Sequence, residues 1–190
     1  NFCYNGDYDY ENVLYDMGNS FIQYSGPYHI RVYFHIIKKT DGTGADSFPS
    51  SSIPSCMQTL NNDYNSHNIY FVYAGMDYIL NSNFYEITNL NSDYYVSMIN
   101  TNTHIDAIDV YLLPTNTSLG GKASGIPGRA LAIGGTMNGV VLGTSHVLSH
   151  EMGHCLGLFH TFHGTWENGG CAELVDGSNC SNCGDYVCDT

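Results

Sequence analysis

Residues 150–160 read H-E-M-G-H-C-L-G-L-F-H, and this run dictates a local shape more tightly than any other part of the chain. Each helical residue advances roughly 100° around the axis. With His150 at zero, His154 falls at about 40°, on the same face. Leu148, Met152, Cys155 and Leu156 fall between roughly 140° and 240°. One side of the helix therefore packs into a core while the other presents two imidazoles. Gly157 can take the left-handed conformation that ends helices. His160, three residues later, can then swing back toward the first two.

Three histidines and an open fourth position are the ligand set of a catalytic zinc site, where a structural site would be closed. Zinc brings the pKa of a coordinated water toward ~7. Glu151, at the flank of the ligand face, is placed to accept its proton and pass it to a leaving group. The usual chemistry of this pattern is peptide-bond hydrolysis. His146 is a rival ligand, four residues before His150 and about −40° around the helix. His160 is preferred because Gly157 is placed to bring it in; His146 reads as a hydrogen-bonded histidine near the site.

The long motif resembles that of the metzincin metalloproteases. Further segments resemble the pappalysin-like, or cytophagalysin-like, family. These are His35-Ile36-Ile37 with Asp41-Gly42-Thr43-Gly44, Leu60-Asn61-Asn62-Asp63-Tyr64, Asn68-Ile69-Tyr70-Phe71, and Gly157-Leu158-Phe159-His160-Thr161-Phe162. The tail Cys183-Gly184-Asp185-Tyr186-Val187-Cys188-Asp189-Thr190 is similar to the family's G-D-x-V-x-D-T signature. Together they span residues 28–190. The resemblance implies a secreted zinc endopeptidase with His150, His154 and His160 on zinc and Glu151 as general base. It also implies an antiparallel edge strand that binds extended substrate, placed at Arg129, Ala130, Leu131, Ala132 and Ile133. The clan has a methionine turn beneath the zinc, well after the third histidine. The last methionine here is Met152. The chain is therefore expected to be an upstream part of a catalytic domain, with a loop-rich end truncated before that turn. A catalytically impaired peptide-binding or adhesion module on the same scaffold is the alternative.

Alternation over residues 28–38 sets His29, Arg31, Tyr33 and His35 against Ile30, Val32, Phe34 and Ile36, which predicts a half-buried strand. A helix is expected at about residues 53–65 and strands at 68–74, 105–113, 129–133 and 140–143. Asn138-Gly139 is a hairpin signal before the last of these, and Ser145 a cap for the motif helix. Residues 1–27 read as an N-terminal extension or pro-segment remnant, and 28–190 as the catalytic domain. The fold class expected is α/β (or α+β): a metzincin-like N-terminal subdomain with a twisted, mostly parallel sheet, an antiparallel edge strand and backing helices.

Cys171, Cys180, Cys183 and Cys188 crowd into one short stretch and read as disulfides of unknown pairing. A second zinc site around Cys180 and Cys183 is the rival. Cys155 falls on the buried helix face, and Cys3 can bridge to Cys56. Asp185, Asp189 and Thr190 are candidate calcium ligands, against local turn chemistry. The net charge of −13, with five Lys plus Arg, leaves no basic patch for nucleic acid or anionic membrane. No apolar run is long enough to span a bilayer. The partner expected is a protein or peptide substrate.

Overall fold

The computed structural model describes residues 26–44, 50–113, 120–134, 146–167 and 170–188. Strands β1 (Tyr28–Lys38), β2 (Ile69–Leu80), β3 (Ile108–Leu113), β4 (Gly121–Ala123) and β5 (Ala130–Gly134) form one sheet in the order β2-β1-β3-β5-β4. Neighbours run parallel except β4 and β5, which are antiparallel. Helices α1 (Ile53–Tyr64), α2 (Ser82–Tyr85), α3 (Asp93–Met98) and α4 (Val147–Cys155) cover its faces. The expected architecture of a mostly parallel sheet with one antiparallel edge and backing helices is present.

α1 and α4 pack on one face of the sheet. Val32, Phe34 and Ile36 of β1, with Val110, Leu112, Leu131 and Ile133, meet Ile53, Cys56 and Leu60 of α1 and Leu148, Met152 and Cys155 of α4. The spacing of Ile53, Cys56 and Leu60 places one helical stripe against the sheet. The opposite face carries Ile37, Tyr111, Leu113, Ala130 and Ala132 under Phe84, Leu90, Tyr95 and Met98. β1 is thus buried on both faces in its second half, not half-buried as its alternation predicts. His35, expected beside solvent-facing residues, is fully buried. Parallel strands sandwiched between helices are buried on both sides.

β2 runs six residues beyond the expected end at residue 74. Its register against β1 shifts between Val32 and Tyr33, where Gly75 sits opposite Tyr33 at φ 143°. A β-carbon at Gly75 would lie 2.6 Å from the Tyr33 ring, so glycine lets the strand continue past the irregularity. Capping sets the short helices: the Asn81 side chain accepts from the Asn83 and Phe84 N–H groups, and the Ser92 hydroxyl from the Tyr95 N–H.

The edge strand is β4, not residues 129–133. β5 bonds to β3 on one side and β4 on the other, so Ala130, Leu131, Ala132 and Ile133 have no open edge and are all buried. Arg129 precedes the strand and donates to the Ile105 carbonyl at 2.8 Å. β4 is only three residues long within a Ser- and Gly-rich stretch, which hid it from periodicity. The expected strand at 140–143, the Asn138-Gly139 turn, Ser145, Cys3 and most of the N-terminal extension lie outside the described residues.

After α4 the chain is turns and loops, tied by disulfides Cys171–Cys183 and Cys180–Cys188. That choice among the three pairings leaves neither Cys180 nor Cys183 a thiolate for a second zinc. Among the described residues Cys56 and Cys155 are buried free thiols, and the expected bridge from Cys56 to Cys3 falls on a residue outside them. Among the described residues no helix is long and apolar enough to cross a membrane.

Candidate metal centre

α4 is held from behind by α1. The Tyr64 hydroxyl donates to the Ser149 carbonyl at 2.7 Å, and Asp63 Oδ2 accepts from the Ser149 hydroxyl at 2.5 Å and lies 2.8 Å from His146 Nδ1. Burial alone would raise the Asp63 carboxyl, but these bonds outweigh it and hold its pKa below 3.8. His146 therefore serves the helix start and stands outside the ligand group, its side chain largely exposed.

The helix ends in a Schellman turn. Gly157 has φ 101°, its N–H bonds the His154 carbonyl at 3.0 Å, and the Leu158 N–H bonds the Gly153 carbonyl at 2.9 Å. This reversal carries His160 back over the helix. The three Nε2 atoms converge: His150 to His160 is 3.1 Å, His150 to His154 is 3.2 Å, and His154 to His160 is 3.2 Å.

The partners of the other ring nitrogens fix the tautomers. His154 Nδ1 faces the Leu158 carbonyl at 2.7 Å, and a carbonyl only accepts. His160 Nδ1 faces Glu167 Oε1 at 2.6 Å. Both Nδ1 atoms are donors, so in its neutral form each ring turns a bare Nε2 lone pair toward a common point. Lone pairs this close repel unless a cation sits among them. Two nitrogens each ~2.05 Å from a tetrahedral zinc ion lie about 3.3 Å apart, so the triangle fits that ion. Burial, then the charge of His160, lowers the His150 pKa. Burial is also the main cause that lowers His154, to about 4, against the pull of its Leu158 bond. Both shifts favour the neutral, ligating form.

Glu151, next to His150 in the helix, is fully buried. Its side chain lies against the edge strand, where a β-carbon on Gly121 would be 2.7 Å from Glu151 Cγ and 3.0 Å from Oε1. Gly121 was not foreseen as a site residue. Nothing in a short Ser- and Gly-rich stretch signals which glycine a carboxylate will rest on. The neighbouring Cys155 thiol is pushed up to about 12 by burial and the Glu151 charge, so it is an inert core group.

The chain is similar to curated extracellular metalloproteases of fungi. It is 28% identical to one from Colletotrichum graminicola over 179 residues, covering 86% of this chain and 58% of the relative. It is 29% identical to one from Neurospora crassa over 175 residues, covering 85% and 56%. A Sordaria macrospora protein of the same description is 27% identical over 175 residues. The chain thus spans somewhat more than half the length of these relatives. No family model matches it. The likeness is a distant one to metalloproteases in general.

A second group of metal-ligating types lies on the opposite face of the sheet: His35, His104 and Asp109. Asp109 Oδ1 is 2.7 Å from His104 Nδ1 and 3.2 Å from His35 Nε2, and Asp77 Oδ1 is 2.6 Å from His35 Nδ1. Protons satisfy these contacts without an ion, whereas His154 and His160, both donating through Nδ1, face each other with two bare Nε2 atoms. This network was also missed by sequence reasoning, because its members come from three strands and a loop. Asp185, one calcium candidate, accepts the Val187 N–H at 3.0 Å in its own turn. Asp189 and Thr190 lie outside the described residues.

Proposed function

We propose that this chain carries the zinc-binding part of a secreted endopeptidase of the metzincin type, akin to the pappalysin-like family. His150, His154 and His160 hold the metal. When bound, zinc supplies Lewis acidity for activating water and the scissile carbonyl. Glu151 accepts the proton of the attacking water and returns it to the leaving amide nitrogen. Its burial against Gly121 keeps the carboxylate beside the ion and out of bulk solvent. β4, residues 121–123, last in the strand order among the described residues, aligns an extended peptide by strand addition.

The observation that carries this reading is the 3.1–3.2 Å triangle of Nε2 atoms with a buried carboxylate on the same helix. The two disulfides and the extracellular relatives support secretion, since such bridges persist in oxidising compartments. The test measures zinc content and peptide-library digestion for the protein expressed from its complete reading frame. Glu151→Ala should retain one zinc and lose turnover. Wild-type turnover in that variant would remove Glu151 as the base. A wild-type protein that holds no zinc at saturation would remove the whole reading.

A further inference from the structure

The three ligands are not anchored alike. His150 and His154 project from one regular helix, which fixes their backbone. His160 sits beyond the Gly157 reversal, outside any helix or strand. It needs another restraint to keep its ring in the triad, and Glu167 is in place to supply one. Its Oε1 is 2.6 Å from His160 Nδ1, the short distance of a charge-assisted bond.

We propose that Glu167 is a positioning residue for the metal centre: its carboxylate orients His160 and makes its Nε2 a stronger donor. The proposal rests on the zinc reading above. His154 gives its Nδ1–H to a neutral backbone carbonyl, whereas His160 gives its own to a carboxylate, which withdraws the proton further and enriches the ring. The fold fixes Glu167 as well. Its second oxygen lies 3.4 Å from His163 Nδ1. The buried His163 ring stacks on Phe159 with centroids 4.4 Å apart. Tyr186 of the disulfide-tied tail meets Phe159 edge-on at 5.5 Å. Gly164 lies directly against the Cys171 carbonyl, with no room for a β-carbon. The loop between the third histidine and Glu167 is thereby clamped to the tail.

Glu167→Gln and Glu167→Ala separate geometry from charge. The glutamine carbonyl can still accept the His160 proton but lacks the charge; alanine removes both. Zinc affinity is read by competition with a chromogenic chelator, coordination by the visible spectrum of the cobalt-substituted protein, and fold by near-ultraviolet circular dichroism of the metal-free protein. The expected order is wild type, then glutamine, then alanine, with alanine weakened about 10- to 100-fold and metal-free spectra unchanged. Variants binding zinc within twofold of wild type would overturn the proposal and leave the zinc site standing. Equal losses in both variants with altered metal-free spectra would assign Glu167 a purely structural role and also overturn it. Absence of binding in the wild type would instead sink the zinc reading beneath it.

Discussion

Gly121 of the edge strand packs directly against Glu151 of α4, and only a residue without a side chain fits at position 121. A β-carbon at residue 121 would stand 2.7 Å from Glu151 Cγ, closer than such atoms approach. Gly121→Ala must move the carboxylate, the strand, or both. Zinc stoichiometry should stay at one while hydrolysis falls by about 100-fold, the scale of an ångström's misplacement of a catalytic group. Metal analysis beside peptide turnover checks this; unchanged turnover would show that the contact does not place the base.

Met152 sits on the back of α4, two residues from both His150 and His154, and is fully buried. Met152→Ala leaves a cavity between α4 and the sheet and should cost ~2–5 kcal/mol. Urea denaturation of the metal-free protein measures it. A loss below ~1 kcal/mol would mean that this helix face is not packed as described.

Acid should unfasten the His35 network. Burial pushes the Asp109 carboxyl up, but hydrogen bonds from His35 and His104 outweigh it and hold its pKa below 3.8. A carboxyl depressed in the folded state contributes stability that is present above its unfolded value and lost as pH falls through its folded one. Stability should therefore decline from about pH 4 downward. Asp109→Asn should be ~3–5 kcal/mol less stable at neutral pH, because it breaks a buried pair, with a shallower acid decline. Unfolding free energies from pH 2 to 7 read both effects. A variant declining as steeply as wild type would place the acid sensitivity elsewhere.

Partial digestion without reductant should yield Cys171 linked to Cys183 and Cys180 linked to Cys188. Replacing one pair by serine should cost on the order of 2–4 kcal/mol. Mass spectrometry of the linked peptides decides the pairing, and any other connectivity contradicts this arrangement of the tail.

Zinc saturation should stabilise the protein. At a free concentration 100 times Kd the gain is ~2.7 kcal/mol, reversed by chelator. A thermal midpoint indifferent to both would mean that the folded chain holds no ion at the triad.

Much of this was legible in the linear order of residues. The span of β1, residues 28–38, is legible because residues 29–36 alternate in character, and the shared face of His150 and His154 with its apolar back follows from helical period alone. His160 followed because a glycine three residues before it signals a reversal. Where reading failed, the cause was non-local. Alternation marks His35 as outward-facing, yet the rings of His104 and Tyr111 stack against it, and only the assembled sheet brings Asp77 and Asp109 to its ring. Residues 129–133 have the composition of a strand, but sequence does not say whether a strand is inner or outer. Glu167 is one carboxylate among several after the motif, and the tail that orients it is set by disulfide pairing.

Leu158 has a double duty. Its N–H locks the reversal through the Gly153 carbonyl, and its own carbonyl holds the His154 ring. The two ends of one residue thereby couple helix termination to coordination. By reciprocity, an ion that tightens the ligands also resists fraying of the last turn, and unwinding that turn would eject the ion.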